Sequence, residues 1–230
     1  MDQPSFKQGI RDCLPTLLGY FSIGLACGIV GIATHLSTLE ITLLAVLVYA
    51  GAAQFIICAL IAVGSPISAI IFTTFIVNLR MFLLSMTLAP AFRQESLLKN
   101  IGIGTLLTDE TFGVAINQMV QQKRVSAAWM YGLNLTAYLF WILSCFLGAV
   151  FGQWISDPEM FGLDFSLTAM FLALLVLQLE HIPSGKLKLY LSLIVYIIIF
   201  MLIFCMFVPS YVAIILSTIV VASIGVIKDR

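Results

Sequence analysis

Apolar residues run along this chain in long blocks separated by short polar pieces. The blocks are Leu14–Ala33, Ile41–Val63, Pro66–Ala89, Ile101–Val120, Ala127–Phe151 and Leu167–Leu179, followed by one stretch from Leu187 to Ile227. A helix needs about 20 apolar residues to cross a bilayer core, so each of the first six reads as one crossing. The last stretch is too long for one crossing. Pro209 followed by Ser210 divides it into two short helices joined by a tight turn. The pattern predicts an all-α polytopic bundle of about eight transmembrane helices, with residues 1–230 forming a single membrane domain.

Loop charges orient the bundle. With the N-terminus inside, eight crossings put Lys7, Arg11, Lys123, Arg124, Lys186, Lys188, Lys228 and Arg230 on the cytoplasmic side, along with both termini. Only Arg93 and Lys99 fall outside, while Asp157, Glu159 and Asp164 gather in an outer loop. The dissenting piece, Pro90 to Asn100, is either an interfacial amphipathic segment or a sign that the count is off by one. The short sixth run and the polar fourth are the places where that would happen. The first and fifth runs share a glycine pattern, Gly24 with Gly28 and Gly148 with Gly152, which leaves an internal duplication open.

Composition agrees with a membrane protein. The chain is 61% hydrophobic and 10% charged, with a mean hydropathy of +1.11, whereas soluble domains carry about 25% charged residues. Zero net charge argues against nucleic acid as a partner. The polar start, Met1 to Ile10, lacks the apolar core of a signal peptide and is expected to be retained. Five cysteines without a CxxC pair read as small hydrophobes. Two histidines and no HExxH, GxSxG or phosphate-binding loop leave no visible cofactor, metal or enzyme chemistry.

Charge inside the apolar runs carries the functional signal. Arg80 lies well within the third run, where an arginine costs about 2.5–3.5 kcal/mol on insertion scales. Asn78, two residues earlier, faces about 200° away around the helix. Asp109 and Glu110 sit side by side in the fourth run, with Gly102, Thr105, Gly113 and Asn117 at helical spacing from Asp109. Either this run is a polar membrane helix, or it is a loop that dips in and keeps its carboxylates wet. Arg80 with Asp109 or Glu110 is the expected ion pair. Gln54, among Ala50, Gly51 and Cys58, is expected to bond across a close helix contact or to a bound polar group. Asn134 is a lesser candidate of the same kind. Glu180 and His181, at a predicted cytoplasmic boundary, form either a solvated helix end or a proton entry point.

Several blocks together resemble the AzlC family of large exporter subunits. They are Leu14-Pro15, Leu18-Gly19-Tyr20 and Gly24-Leu25-Ala26; Val48 to Phe55; Val77-Asn78-Leu79-Arg80; and Leu107-Thr108-Asp109-Glu110. Met81 and Ala53 depart from the residues usual in that family, His and Ser, which bears on substrate preference. The resemblance implies export of branched-chain amino acids across the bacterial cytoplasmic membrane, coupled to an ion gradient, with a small AzlD-type membrane subunit as partner. A zwitterionic cargo needs an anion site, a cation site and an apolar pocket. Arg80 would take the carboxylate. Asp109 or Glu110 would take the ammonium or a coupling proton. Gln54 and Asn78 would add neutral hydrogen bonds, and Phe55 would accept the branched side chain. Tyr49 and Asn134 complete the substrate-binding candidates. A scaffold subunit or a passive channel for small amphipathic solutes remains the alternative.

Overall fold

The computed structural model describes residues 4–121, 125–155, 184–208 and 210–228, with single positions 165, 172, 175, 176, 179 and 182. Most of the sixth run, the acidic group Asp157, Glu159 and Asp164, the pair Glu180–His181, and Lys123, Arg124, Pro209 and Arg230 lie outside the described residues. The chain divides into two compact units, Met1–Leu167 and Thr168–Arg230.

The first unit is built from α1 (Phe6–Ala33), α2 (Thr38–Leu47), α3 (Gly51–Ala62) and α4 (Ile67–Leu88), then α5 (Leu97–Thr105), α6 (Asp109–Val120) and α7 (Ala127–Gly152). A 3-10 turn, Ala89–Phe92, extends α4. The second unit holds α8 (Ser184–Cys205) and α9 (Ser210–Lys228). Among the described residues, four helices are long and apolar enough to cross a membrane: α1, α4 with its extension, α7 and α8.

The centre of the first unit is the pair α1 and α7, which run parallel. Contacts rise together along both helices: Gly9 meets Trp129, Gly24 meets Ser144, Gly28 meets Cys145 and Ala149, and Gly152 meets Ile29. The approach is reciprocal. A Cβ on Gly28 would overlap the Cys145 carbonyl, and one on Gly148 would overlap the Leu25 carbonyl. Only glycine permits backbones this close. Trp129 ties the pair at one end, its indole N–H donating to Asp12 Oδ2 at 2.8 Å.

The second and fourth apolar runs differ from expectation. Each is two short helices rather than one, and each pair returns to the side it entered. α2 starts beside the end of α7, where the Gln153 amide donates to Thr38 Oγ1 at 2.8 Å. It reaches mid-depth, where the Tyr138 hydroxyl donates to the Val46 carbonyl at 2.9 Å. After the break, Gly51 packs on Trp141, Gln54 sits on Trp141 and Cys27, and Cys58 lies near Thr34 at the end of α1. α3 therefore goes back the way α2 came.

The second hairpin enters from the opposite end. α4 brings the chain across, so that Pro90–Glu95 borders Val125–Ala127 at the start of α7. α5 begins there, with the Tyr131 hydroxyl on the Lys99 carbonyl at 2.9 Å. It runs inward past Asn134, whose amide donates to the Ile103 carbonyl at 3.1 Å, to Thr108 beside Tyr20 of α1. α6 must then return, because the connection 121–126 to Ala127 can reach only about 20–25 Å. The order of long helix then hairpin thus occurs twice, the second time with its direction reversed.

This placement removes the exception in the loop charges. Lys7, Arg11, Arg93 and Lys99 all fall at the end where α1 begins. Among the described residues, the opposite end of the unit carries no Lys or Arg. In the second unit, α8 and α9 pair as an antiparallel hairpin. Lys228 Nζ is 3.1 Å from the Tyr196 hydroxyl and lies over its ring.

Candidate functional site at the hairpin tips

Both hairpins break at mid-depth, and each break has a local cause. At the first, Tyr49 adopts a left-handed backbone with φ 42°, which ends α2 as a C-cap residue ends a helix. Ala50 follows in extended geometry, with no side-chain cap for α3. The carbonyl freed at Val46 is taken by Tyr138, whose ring meets Tyr49 edge-on at 4.7 Å between centroids. At the second break, Thr108 is the N-cap of α6 in a reciprocal box with Thr111. The Thr108 N–H donates to Thr111 Oγ1 at 3.0 Å, and the Thr111 N–H donates to Thr108 Oγ1 at 3.3 Å.

The break at Thr108 explains why two adjacent carboxylates tolerate this depth. Asp109 and Glu110 form the first turn of α6, where the partial positive charge of the helix terminus favours anions. They point to different partners. Asp109 Oδ2 pairs with Arg80 Nη2 at 2.9 Å, both side chains partly exposed. Glu110 Oε2 accepts from the Tyr20 hydroxyl at 3.1 Å. The same hydroxyl is bonded to Thr108 Oγ1, and the Tyr20 ring meets Trp141 edge-on at 5.8 Å.

Several polar atoms around these tips are buried without partners: the Tyr49 hydroxyl, Thr74 Oγ1, Asn78 Oδ1, Arg80 Nε and Asn134 Oδ1. The Tyr49 hydroxyl lies close to Tyr20 and near Glu110, yet makes no hydrogen bond of full geometry to either. Unpaired buried groups cost about 1–3 kcal/mol each, so this depth holds unspent hydrogen-bonding capacity. Between α4 and α5, next to the tip, lies an apolar cavity of about 460 Å³ whose walls include Phe82, Leu88, Asn100, Gly104 and Leu107.

The predicted residues divide into three groups. Arg80 and Asp109 meet as an ion pair, and Glu110 and Tyr49 gather around Tyr20. Gln54 is consumed by packing: its Oε1 accepts from the Trp141 indole N–H at 2.9 Å, one layer behind Tyr20. Phe55 is 2% exposed and belongs to the core. Asn134 braces α5 through Ile103, and Asn78 keeps its oxygen free. Two expected alignments fail because of the breaks: Gly102 and Thr105 are not on the helix of Asp109, and Ala50 is the cap rather than part of the face of Gln54. Sequence reasoning missed Tyr20, Thr108, Tyr138 and Trp141 as site residues. A phenol or indole within an apolar run gives no periodic signal. Thr108 with Thr111 is a capping box lacking the usual acidic fourth residue.

Residues 15–155 match the AzlC protein family. The chain belongs to the AzlC family. It is 28% identical over 182 residues to the inner membrane protein YgaZ of Escherichia coli, covering 77% of this chain and 74% of that one. It is 30% identical over 178 residues to an uncharacterized membrane protein of Archaeoglobus fulgidus, covering 76% of each. It is 23% identical over 176 residues to the branched-chain amino acid transport protein AzlC of Bacillus subtilis, covering 76% of this chain and 68% of that one. No solved structure matches. The family match covers all but the start of α1 and ends just past α7, so it falls on the unit that holds both hairpins and the charged tip.

Proposed function

We propose that this AzlC-family membrane protein exports branched-chain amino acids across the cytoplasmic membrane, with a proton gradient as driving force and a small AzlD-type subunit as partner. The observation that carries this reading is the meeting of two hairpins, entering from opposite ends, around charges at mid-depth. Such broken segments place helix termini and unpaired polar groups where a solute crosses, and leave only the tips as a barrier. The name of the Bacillus subtilis relative supplies the cargo class.

Arg80 takes the cargo carboxylate. Its Nη2 is held by Asp109, which fixes the guanidinium plane, while its buried Nε–H is still free to donate. The cavity beside Leu107 receives the aliphatic side chain, its volume lying within the usual span for small-molecule sites, about 300–1,000 Å³. Lys7, Arg11, Arg93 and Lys99 mark the cytoplasmic face by the positive-inside tendency, so α5 and α6 open inward and α2 and α3 outward.

The test is counterflow of labelled leucine and valine in vesicles containing the full chain, with and without the small subunit. Saturable exchange that Arg80→Gln abolishes in folded protein supports the reading. Non-saturable leakage would favour a passive channel. Full exchange by Arg80→Gln would remove the carboxylate assignment.

A further inference from the structure

We propose that Glu110 is the carboxylate that exchanges the coupling proton, and that Tyr20, Thr108 and Tyr49 turn its charge into contact or separation of the two hairpin tips. The inference rests on the transport reading and assigns its proton site. The two carboxylates of α6 are not equivalent. Asp109 is compensated by Arg80. Glu110 forms no ion pair among the described residues and is met by a phenol.

Tyr20 has one proton and two oxygens to serve. An ionised carboxylate only accepts. With Glu110 ionised, Tyr20 therefore donates to Glu110, Thr108 donates to Tyr20, and Thr111 donates to the Thr108 carbonyl at 3.4 Å. With Glu110 protonated, the chain reverses. Its O–H donates to Tyr20, Tyr20 donates to Thr108 Oγ1, and Thr108 donates to Thr111 Oγ1 at 3.2 Å. Both directions satisfy every donor with the heavy atoms in place. The covalent change is one proton, taken by the carboxylate from water on one side and returned to water on the other.

Tyr49 gives the chain its output. Its hydroxyl is buried, unpartnered and carried by the tip of the other hairpin, near Tyr20 and Glu110. Ionised Glu110 has lone pairs to spare and draws that O–H toward it, closing the tips. Protonated Glu110 has lost the charge that attracts Tyr49, and the tips separate. The groups facing Glu110 are Tyr20 from α1, Tyr49 from the first hairpin and Asp109 beside it, with Arg80 of α4 behind Asp109. From α7, Tyr138 backs Tyr49 and Trp141 backs Tyr20.

The experiment compares leucine flux driven by a pH difference with leucine counterflow at equal pH, using the full chain and its small subunit in vesicles. Wild type is expected to show a several-fold ratio, Asp109→Asn a ratio still above one, and Glu110→Gln a ratio of one. A Glu110→Gln variant still stimulated several-fold overturns the proposal, as does a wild type that exchanges leucine but ignores the pH difference. No leucine counterflow in wild type would instead overturn the transport reading. If Glu110→Gln passes no leucine at all, Tyr20→Phe decides. Removing the O–H breaks the chain between Glu110 and Thr108, so the flux ratio should fall to near one while counterflow at equal pH continues. A ratio still several-fold above one overturns the role of Tyr20 and, with it, the chain.

Discussion

The two hairpins reach the same depth by different chemistry. The first, α2 and α3, has a neutral tip: a left-handed Tyr49, an uncapped Ala50, and a buried Gln54 bonded to Trp141. The second, α5 and α6, has a charged tip with a side-chain cap and two carboxylates in the first helical turn. The first is held to α7 by aromatic packing and by the Tyr138 and Trp141 bonds. The second has its tip held by polar bonds to α1 and α4, while Tyr131 and Asn134 of α7 brace α5. The difference separates labour. Under the transport reading, the first tip, with its Val46 and Gln54 oxygens taken by fixed neighbours and only the Tyr49 hydroxyl spare, would serve as the wall, and the second, whose carboxylates meet single donors, as the moving part.

The largest effect tests whether the hairpins exist in the membrane, and it is all or none. In a chain with Cys205→Ser, which removes the exposed thiol, a cysteine at Ser65 should react with an impermeant maleimide added outside cells. A cysteine at Gln94 should react only after permeabilisation. If the second and fourth runs each crossed once, the two positions would exchange sides.

Next comes the ion pair of the charged tip. Arg80→Gln leaves Asp109 partly buried without its cation and should cost about 3 kcal/mol, read as a lower thermal midpoint in detergent. Adding Asp109→Asn should recover most of that loss. Failure to recover would mean that Arg80 stabilises the fold through contacts other than Asp109. The matching change at the neutral tip is Trp141→Phe, which leaves the buried Gln54 oxygen only the weak Cys27 thiol as donor. It should cost about 1–3 kcal/mol, with no rescue from mutating charges at the other tip. Thr108→Ala removes the cap of α6 and should cost about 1 kcal/mol, whereas Ala50→Ser, which adds a hydroxyl at the uncapped start of α3, should cost less.

What the sequence disclosed follows the same division. Arg80 and Asp109 were legible because a charge in an apolar run is expensive and demands its opposite. The helical membrane class was legible from hydropathy, and the break before Ser210 from the proline that precedes it. The turn at Tyr49 was not, and the one at Thr108 showed only as the alternative that the fourth run dips in, because hydropathy records depth and carries no direction. A run that goes halfway and returns has the same apolar count as one that crosses. Tyr49 is itself apolar enough to leave the average unchanged, and its left-handed backbone has no glycine to announce it. Arg93 and Lys99 held a second clue: two basic residues apart from the others in an eight-crossing count. The hairpins put them at the same end as Lys7 and Arg11.

The smallest effect is at Tyr49. Tyr49→Phe removes a hydroxyl that makes no hydrogen bond of full geometry and leaves both the ring contact with Tyr138 and the backbone turn in place. In a Glu110→Gln background, where no charge draws that hydroxyl, stability should change by less than about 0.5 kcal/mol, the range of a substitution that breaks no packing and no bond. A loss of 1 kcal/mol or more would show that the hydroxyl already holds the folded tips together. In that case the first tip is joined to the second at rest, and the contrast between wall and moving part fails at the residue where the two meet.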